Sequence, residues 1–240
     1  MNCEQFSDHF DALVNSYTRF RNFDEKEPRD TIEFDEYEKS LFLTKSQEQI
    51  ALGLYNGKNP FGESFEFTEE LRRYLAPIIE EVVLEPIQTS NGSPLGVSSR
   101  SKFFTLPDNL WFITYESVTL DDAKCESMSV QDVYPVTQDE YHKVKRNPFR
   151  GANERRALRL DLSDNVIEIV SKYEVVKYYV RYLRKLKPII LVDLPDGMDI
   201  NGRTVITQCE MHETLHQRIL EMAVMMALQS KGYIQNNENK

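Results

Sequence analysis

Residues 175–185 read VVKYYVRYLRK. In a strand of period two, Tyr178, Val180 and Tyr182 share one face, and Tyr179, Arg181 and Leu183 share the other. The alternation is imperfect, but a ladder of aromatic and β-branched side chains is the pattern of sheet packing. Neighbouring stretches read the same way. SKFFTL (101–106), WFITYESVTL (111–120), SVQDVYPV (129–136), ALRLDL (157–162) and VIEIVS (166–171) are further strands. TQDEYHKVKRN (137–147) predicts a short helix, followed by the basic loop NPFRGANERR (147–156). LPDGMDINGRT (194–204) carries turn chemistry twice, at Asp196-Gly197 and Asn201-Gly202.

The ends of the chain have a different period. Phe6, Phe10, Leu13, Val14 and Tyr17 recur at three- and four-residue spacing and mark one apolar helix face. The connector RNFDEKEPRD (21–30) follows, with Pro28 discouraging helix. A second helix starts at Asp35, with Glu38 three residues on as a capping box, and ends at Asn56-Gly57. Thr44 and Gln47 read as a second cap that bends or breaks it. A third helix is expected over FTEELRRYLAPIIEEVV (67–83), opened by Thr68 and disturbed at Pro77. Within it, Glu80-Glu81 read as helix surface, not as a catalytic carboxylate pair. Residues 85–101 are rich in Ser, Gly and Pro and read as a loop. The last helix is expected from about Met211 to Gln229, and the tail NNENK frays. Helices, then strands, then a helix give an α+β fold: N-terminal helices, a central mostly antiparallel β-sheet and a C-terminal helix. The expected division is a helical region over 1–84 and a β-rich region with the C-terminal helix over 85–240, integrated in one subunit.

The 240 residues carry a net charge of −10, which argues against a surface that binds nucleic acid throughout. The charge is uneven. Residues 1–81 hold 18 acids against 9 bases, and residues 142–187 hold 13 bases against 5 acids. An acidic and a basic part in one chain suit head-to-tail self-association. Cys3, Cys125 and Cys209 are too few and too far apart for a disulfide framework or a cysteine zinc site. The first ten residues lack the features of a signal peptide, and no apolar run approaches the roughly 20 residues of a membrane span. The expectation is a protein made in the cytoplasm.

Two clusters carry possible chemistry. His212-Glu213-Thr214-Leu215-His216 matches His-Glu-x-x-His, in which two histidines on one helix face bind zinc and Glu213 acts as base. A third ligand is wanting, since only 24 residues follow His216, and Thr214 stands where zinc peptidases favour an apolar side chain. The alternative is a pair of histidines on the first turns of a packing helix. The second cluster is basic: Lys143, Lys145, Arg146, Arg150, Arg155, Arg156 and Arg159. It suits phosphates, an acidic neighbour, or only solvent. Contact with protein is favoured, because an acidic stretch exists in the same chain. Phe149, set among these bases, suits stacking or, more commonly, anchoring of the loop, and the anchor reading is preferred. There is no Gly-x-Gly-x-x-Gly, no Walker loop and no nucleophile elbow.

Several stretches together resemble one family. They are FDEYEKSLFLTKSQEQIALGLYNG (34–57), FTEELRRYLAPII (67–79), RRALRLDL (155–162), VVKYYVRYLRKLKPIIL (175–191) and LPDGMDINGRTVITQCEMHETLHQRILEMAVMMA (194–227). Glu36-Tyr37-Glu38-Lys39-Ser40 and Tyr179-Val180-Arg181-Tyr182-Leu183-Arg184 are the most specific phrases. They are similar to virion proteins of crAss-like and related Bacteroidetes phages, the ring or adaptor proteins of the head-to-tail connector. The resemblance implies a structural protein without catalytic residues or cofactor. It implies a closed ring of copies of the chain, dodecameric, stacked on the portal and other connector or tail proteins. Packaged DNA would pass through the lumen without sequence-specific binding. The protein would reside in the virion after assembly in the bacterial host cytoplasm. The family pattern opens the final helix Cys-Glu-Leu-Pro-Glu-x-x-His, so His212 stands in the place of Pro, a residue suited to the first helical position. The rival readings are a zinc-dependent hydrolase using His212, Glu213 and His216, and a nucleic-acid binder using residues 143–159.

Overall fold

A computed structural model of the chain describes residues 1–21, 32–58, 68–88, 101–121, 130–162 and 165–233. The expected connector, most of the 85–101 loop, the tail and Cys125 lie outside the described residues. The described residues form five α-helices and a curled, mostly antiparallel sheet of seven strands. Helices lead, strands follow and a helix closes the chain, which is the α+β order expected. The chain divides into two compact units, one of residues 1–78 with 186–240, the other of residues 79–185.

In the first unit, α1 (Cys3–Arg21) buries Phe6, Phe10 and Val14, while Tyr17 lies at the edge of that face, 44% exposed. The predicted capping box starts α2 (Glu36–Tyr55): Asp35 Oδ1 accepts from Glu38 N–H at 2.7 Å, and Glu38 accepts from Asp35 N–H at 3.3 Å. Thr68 caps α3 (Glu69–Leu75) by accepting from Leu71 N–H. The last helix, α5 (His216–Ser230), buries Ile219, Leu220, Ala223, Val224, Ala227 and Leu228 along one face.

The expected break at Thr44 is absent, and α2 runs uninterrupted. Its buried polar residues have another use. Residues 187–191 cross the unit as an extended segment outside the sheet, and buried N–H and C=O groups must find partners. Side chains of α2 provide them. Gln47 Nε2 donates to Lys187 O at 2.9 Å. Thr44 Oγ1 accepts from Ile189 N–H at 3.0 Å and donates to Ile189 O at 3.3 Å. Ser40 Oγ accepts from Leu191 N–H at 3.1 Å. The spacing of 40, 44 and 47 is one helix face, and the spacing of 191, 189 and 187 is one strand face. The other strand face is served by Thr207, which exchanges both backbone bonds with Ile190 at 3.0 Å. Pro188 has no N–H to satisfy, and Lys187 N–H donates to Glu210 at 3.3 Å.

The Glu36–Ser40 phrase also gains a physical reading. Lys39 is 3% exposed, and its ammonium donates to Asp11 at 2.7 Å, Glu36 at 2.9 Å and Ser7 at 3.0 Å. Three donors meet three acceptors, so the buried charge is fully hydrogen-bonded and joins α1 to α2.

The second unit is the sheet: β1 (Ile79–Leu84), β2 (Lys102–Thr105), β3 (Leu110–Leu120), β4 (Val130–Pro135), β5 (Arg156–Asp161), β6 (Val166–Val170) and β7 (Val175–Arg184), with α4 (Gln138–Lys145) between β4 and β5. The order is β1-β7-β3-β4-β5-β6-β2. Pairing is antiparallel except between β4 and β5, which α4 connects as a crossover. Ile87, just past β1, donates its N–H to Phe103 O on β2 at 2.8 Å, so the two edges of the curled sheet meet. Tyr178, Val180 and Tyr182 face the interior with Phe104, Val118, Val133 and Ile169, as the alternation of residues 175–185 predicts. On the outer side, Tyr141 and Val144 of α4 cover Leu158, Leu160 and Val170.

One element departs from expectation. The second half of the predicted third helix is strand β1, entered through a 3-10 turn at Ala76–Ile78. Pro77 spoils the helical ladder, and β-branched Val82 and Val83 fit the pleat, with Val82 opposite Val180. Glu80 and Glu81 are therefore on opposite faces of a strand rather than on a helix surface. Glu80 accepts from Tyr182 Oη at 2.9 Å, and Glu81 lies 3.5 Å from Arg181.

The Thr44 contact makes a measurable claim. Thr44→Val keeps the shape of the side chain but leaves Ile189 N–H buried without its acceptor. It should lower unfolding free energy by about 1–3 kcal/mol, whereas Thr44→Ser, which keeps the hydroxyl, should lose about 1 kcal/mol or less. Urea unfolding of the three proteins checks this.

Candidate functional site

The His-Glu-x-x-His stretch is not one helix. Glu213–Leu215 form a 3-10 turn, and α5 starts only at His216. His212 stands before the turn with φ −56° and ψ 140° and acts as its cap, its Nδ1 accepting from Thr214 N–H at 3.4 Å and lying 3.0 Å from Thr214 Oγ1. It therefore sits one position ahead of the first helical residue expected for it. Its ring packs on Tyr74 with centroids 5.8 Å apart. His216 is 6% exposed. Its Nε2 bonds to Met211 O at 3.0 Å, its Nδ1 to the Met1 ammonium at 2.7 Å, and its ring packs on Phe6. Both nitrogens of His216 are thus engaged within the fold. Desolvation lowers its pKa below the usual imidazole value, against the pull of the Met211 carbonyl. Among the described residues, no three His, Cys, Asp or Glu side chains are grouped as metal ligands.

The basic residues do come together, on one loop and its flanks. Lys143 and Lys145 occupy the last turn of α4 and Arg146 caps it, where cations complement the helix dipole. Asn147 then folds the loop back. Its Oδ1 accepts from Phe149 N–H at 2.9 Å and Arg150 N–H at 3.3 Å, and its carbonyl accepts from Gly151 N–H at 2.8 Å. A Cβ at Gly151 would fall 3.0 Å from that carbonyl, which explains the glycine. From below, buried Gln131 donates to Asn153 O at 2.9 Å. Lys143, Lys145, Arg146, Arg150 and Arg155 are exposed, and of these Lys143, Arg146, Arg150 and Arg155 form no ion pair with a described residue.

Arg156 and Arg159 differ from the rest. Arg156 lies over the Tyr134 ring at 4.3 Å and donates to Phe149 O at 2.8 Å, so it props the loop. Arg159 points into the sheet interior, where it donates to Glu116 at 2.8 Å. The loop does not bury Phe149. The side chain expected to anchor it is 84% exposed.

Sequence reading missed the interior network of Glu116, Arg159 and Tyr178. Glu116 is 7% exposed and accepts from Tyr178 Oη at 2.7 Å as well as from Arg159. Desolvation pushes its carboxyl above the usual range, opposed by the Arg159 charge and the Tyr178 hydroxyl. The available signal was its parity with Val118 and Leu120 on the inward face of β3. Beyond Ser117 and Asp132, β3 and β4 no longer pair, and a cleft of about 430 Å³ opens between them, lined by Tyr115, Glu116, Asp132, Tyr134 and Arg159.

What the described residues hold out to their surroundings is a set of exposed cations with aromatic side chains beside them. Residues 1–239 match the family model described as phage tail ring protein 3/4, and the chain belongs to that family. It is 43% identical over 241 aligned positions to Ring protein 3 of Bacteroides phage crAss001, across 99% of this chain and 100% of that protein. It is 25% identical over 236 positions to Ring protein 4/5 of the same phage, across 95% and 92% of the two chains. The family indicated by Glu36–Ser40 and Tyr179–Arg184 is the family found.

Two variants test the histidine geometry. The φ of His212 already suits proline, so His212→Pro should change unfolding free energy by less than about 1 kcal/mol. Calorimetry, with elemental analysis for zinc before and after the change, checks this and separates a cap from a metal ligand. His216 is held neutral in the fold, facing the Met1 ammonium, Glu213 and His212. Its contribution is present above about pH 6.5 and is lost as pH falls through the lowered folded value, because the unfolded chain then binds a proton that the fold does not. His216→Gln should be less stable than the parent at pH 7.5, yet lose less stability between pH 7.5 and 5. Denaturant unfolding across that range reads both effects.

Proposed function

We propose that the chain is a structural, non-enzymatic subunit of the head-to-tail connector of a tailed phage. In this reading, copies close into a ring, a dodecamer, that stacks on the portal and meets other connector or tail proteins. Packaged DNA passes through its lumen without being read, and no cofactor takes part. The subunit resides in the virion after assembly in the host cytoplasm. None of the helices among the described residues is long and apolar enough to cross a membrane. The observation that carries the reading is the family match over residues 1–239, joined by near-complete coverage of a relative named as a ring protein.

The interface assigned to this function is the basic loop: Lys143, Lys145, Arg146, Arg150, Arg155 and Arg156. Ring neighbours meet through heterologous surfaces that close by rotation, so one surface can be cationic and its counterpart acidic. The acidic counterpart is sought in residues 1–81, with 18 acids against 9 bases. Glu4, Asp8 and Asp11 are exposed along α1. Arginine suits such contacts through its planar fork of donors.

Mass photometry over a range of concentrations, with and without portal protein, should show closed assemblies; a monomer under every condition contradicts the reading. Arg150→Glu with Arg155→Glu should weaken assembly at least about tenfold while leaving the melting temperature unchanged. Arg156 is left out of this pair because it also props the loop through Tyr134 and Phe149. Assembly of the double variant at parental strength in physiological salt would reduce the loop to solvated surface.

A further inference from the structure

The outer face of the curled sheet carries a line of exposed apolar and aromatic side chains that crosses four strands. Val83 on β1 is 54% exposed and sits opposite Tyr179 on β7. The Tyr179 ring meets the Tyr115 ring of β3 at 6.0 Å. Tyr115 is 46% exposed, and its hydroxyl lies 3.4 Å from Asp132 on β4. Two residues further along β4, Tyr134 is 45% exposed and carries the Arg156 guanidinium, which holds the Phe149 carbonyl. The line ends at Phe149, which is 84% exposed, with the exposed Arg150 and Arg155 on the same loop. Scattered exposed apolar residues need no explanation, but a continuous band of them marks a contact site.

We propose that this band is the centre of the interface between adjacent copies of the chain, with Phe149 as the side chain inserted into the neighbour. The proposal rests on the ring-subunit reading and adds to it an anchor, a surface and an orientation. Three observations select another copy as the occupant. Tyr, Phe and Arg, the side chains that dominate this line and its loop, are residue types enriched at interface centres. The cations beside Phe149 call for acidic partners, and the same chain has them exposed at Glu4 and Asp8 of α1, within a stretch, 1–81, that holds 18 acids against 9 bases. Nucleic acid fits poorly, because Asp132 and Glu81 lie within the band and would repel phosphate. Phe149 is also preorganised. Asn147 fixes its N–H, and Arg156 fixes its carbonyl, so little conformational freedom is lost on docking. Arg156 then also acts as a positioning residue, through Phe149.

Full-length parent, Phe149→Asp, Phe149→Trp and Arg156→Met should be compared by mass photometry and thermal unfolding. Phe149 is exposed, so no variant at this position should lose its fold. Phe149→Asp should weaken self-assembly at least about tenfold, Phe149→Trp should retain it, and both should melt with the parent at concentrations where all three are monomeric. Arg156→Met should weaken assembly as well and make the loop between Asn147 and Arg155 more open to protease, a change that loss of a direct charge contact would not cause. A photo-crosslinker at position 149 should capture residues of the 1–81 stretch in a second copy. Rings that form equally well with Phe149→Asp overturn this proposal and leave the ring reading standing. A parent that never self-associates, alone or on the portal, overturns both. Crosslinks only to other phage proteins, or a loss of DNA affinity without a change in assembly, would also overturn it.

Discussion

Residues 187–191 run through the first unit with no strand on the side facing α2, and the hydrogen-bonding demand of that backbone dictates what α2 must be. A buried segment needs a partner for every N–H and C=O. From a single helix face Ser40 partners Leu191 N–H, Thr44 both groups of Ile189 and Gln47 Lys187 O, and Thr207 partners Ile190 from the other side. The polar residues inside α2 are thus a lattice of acceptors and donors set to the spacing of an extended chain. Ser46 extends the logic by donating to Ile219 O at 2.7 Å, which ties α2 to α5. Cys209 joins it through Gln47 at 3.2 Å, and burial pushes that thiol up to about 11, well away from a reactive thiolate.

In the second unit the equivalent constraint is closure. β7 pairs on both sides, with β1 and with β3, and its inward residues Tyr178, Val180 and Tyr182 fill the interior. The buried polar groups among them are matched, Tyr178 by Glu116 and Tyr182 by Glu80 and Asn109. Removing one member of such a set leaves an uncompensated buried charge or hydroxyl, so the set persists as a whole. The proposed contact surface, the outer face with the α4–β5 loop, is built on this matched interior.

Much of this was legible from local pattern. The strand alternation of residues 175–185, the Asp35 cap, and the Asp196-Gly197 and Asn201-Gly202 turns all carry their meaning within a few residues. Gly197 and Gly202 do adopt positive φ, +89° and +74°. What was misread depends on partners far away. Thr44 looked like a cap because its true partner, Ile189, is 145 residues distant. Residues 79–84 looked helical because their apolar spacing fits either period, and only pairing with β7, about a hundred residues on, selects strand. His212 and His216 match a zinc motif by letter, and no local signal shows that the chain turns through a 3-10 segment between them or that His216 bonds to Met1 and Met211. Phe149 was taken for an anchor because exposure cannot be read from a loop sequence.

In the proposed ring, the sheet's outer face and the Phe149 loop are covered by another copy. A single-particle reconstruction of the purified protein bound to its portal shows directly whether they are. Rotationally symmetric rings in which Tyr115, Tyr134 and Phe149 of each subunit lie against the next are expected. Rings in which that face points to solvent, or particles in which the chain binds singly without a like neighbour, would contradict the proposal.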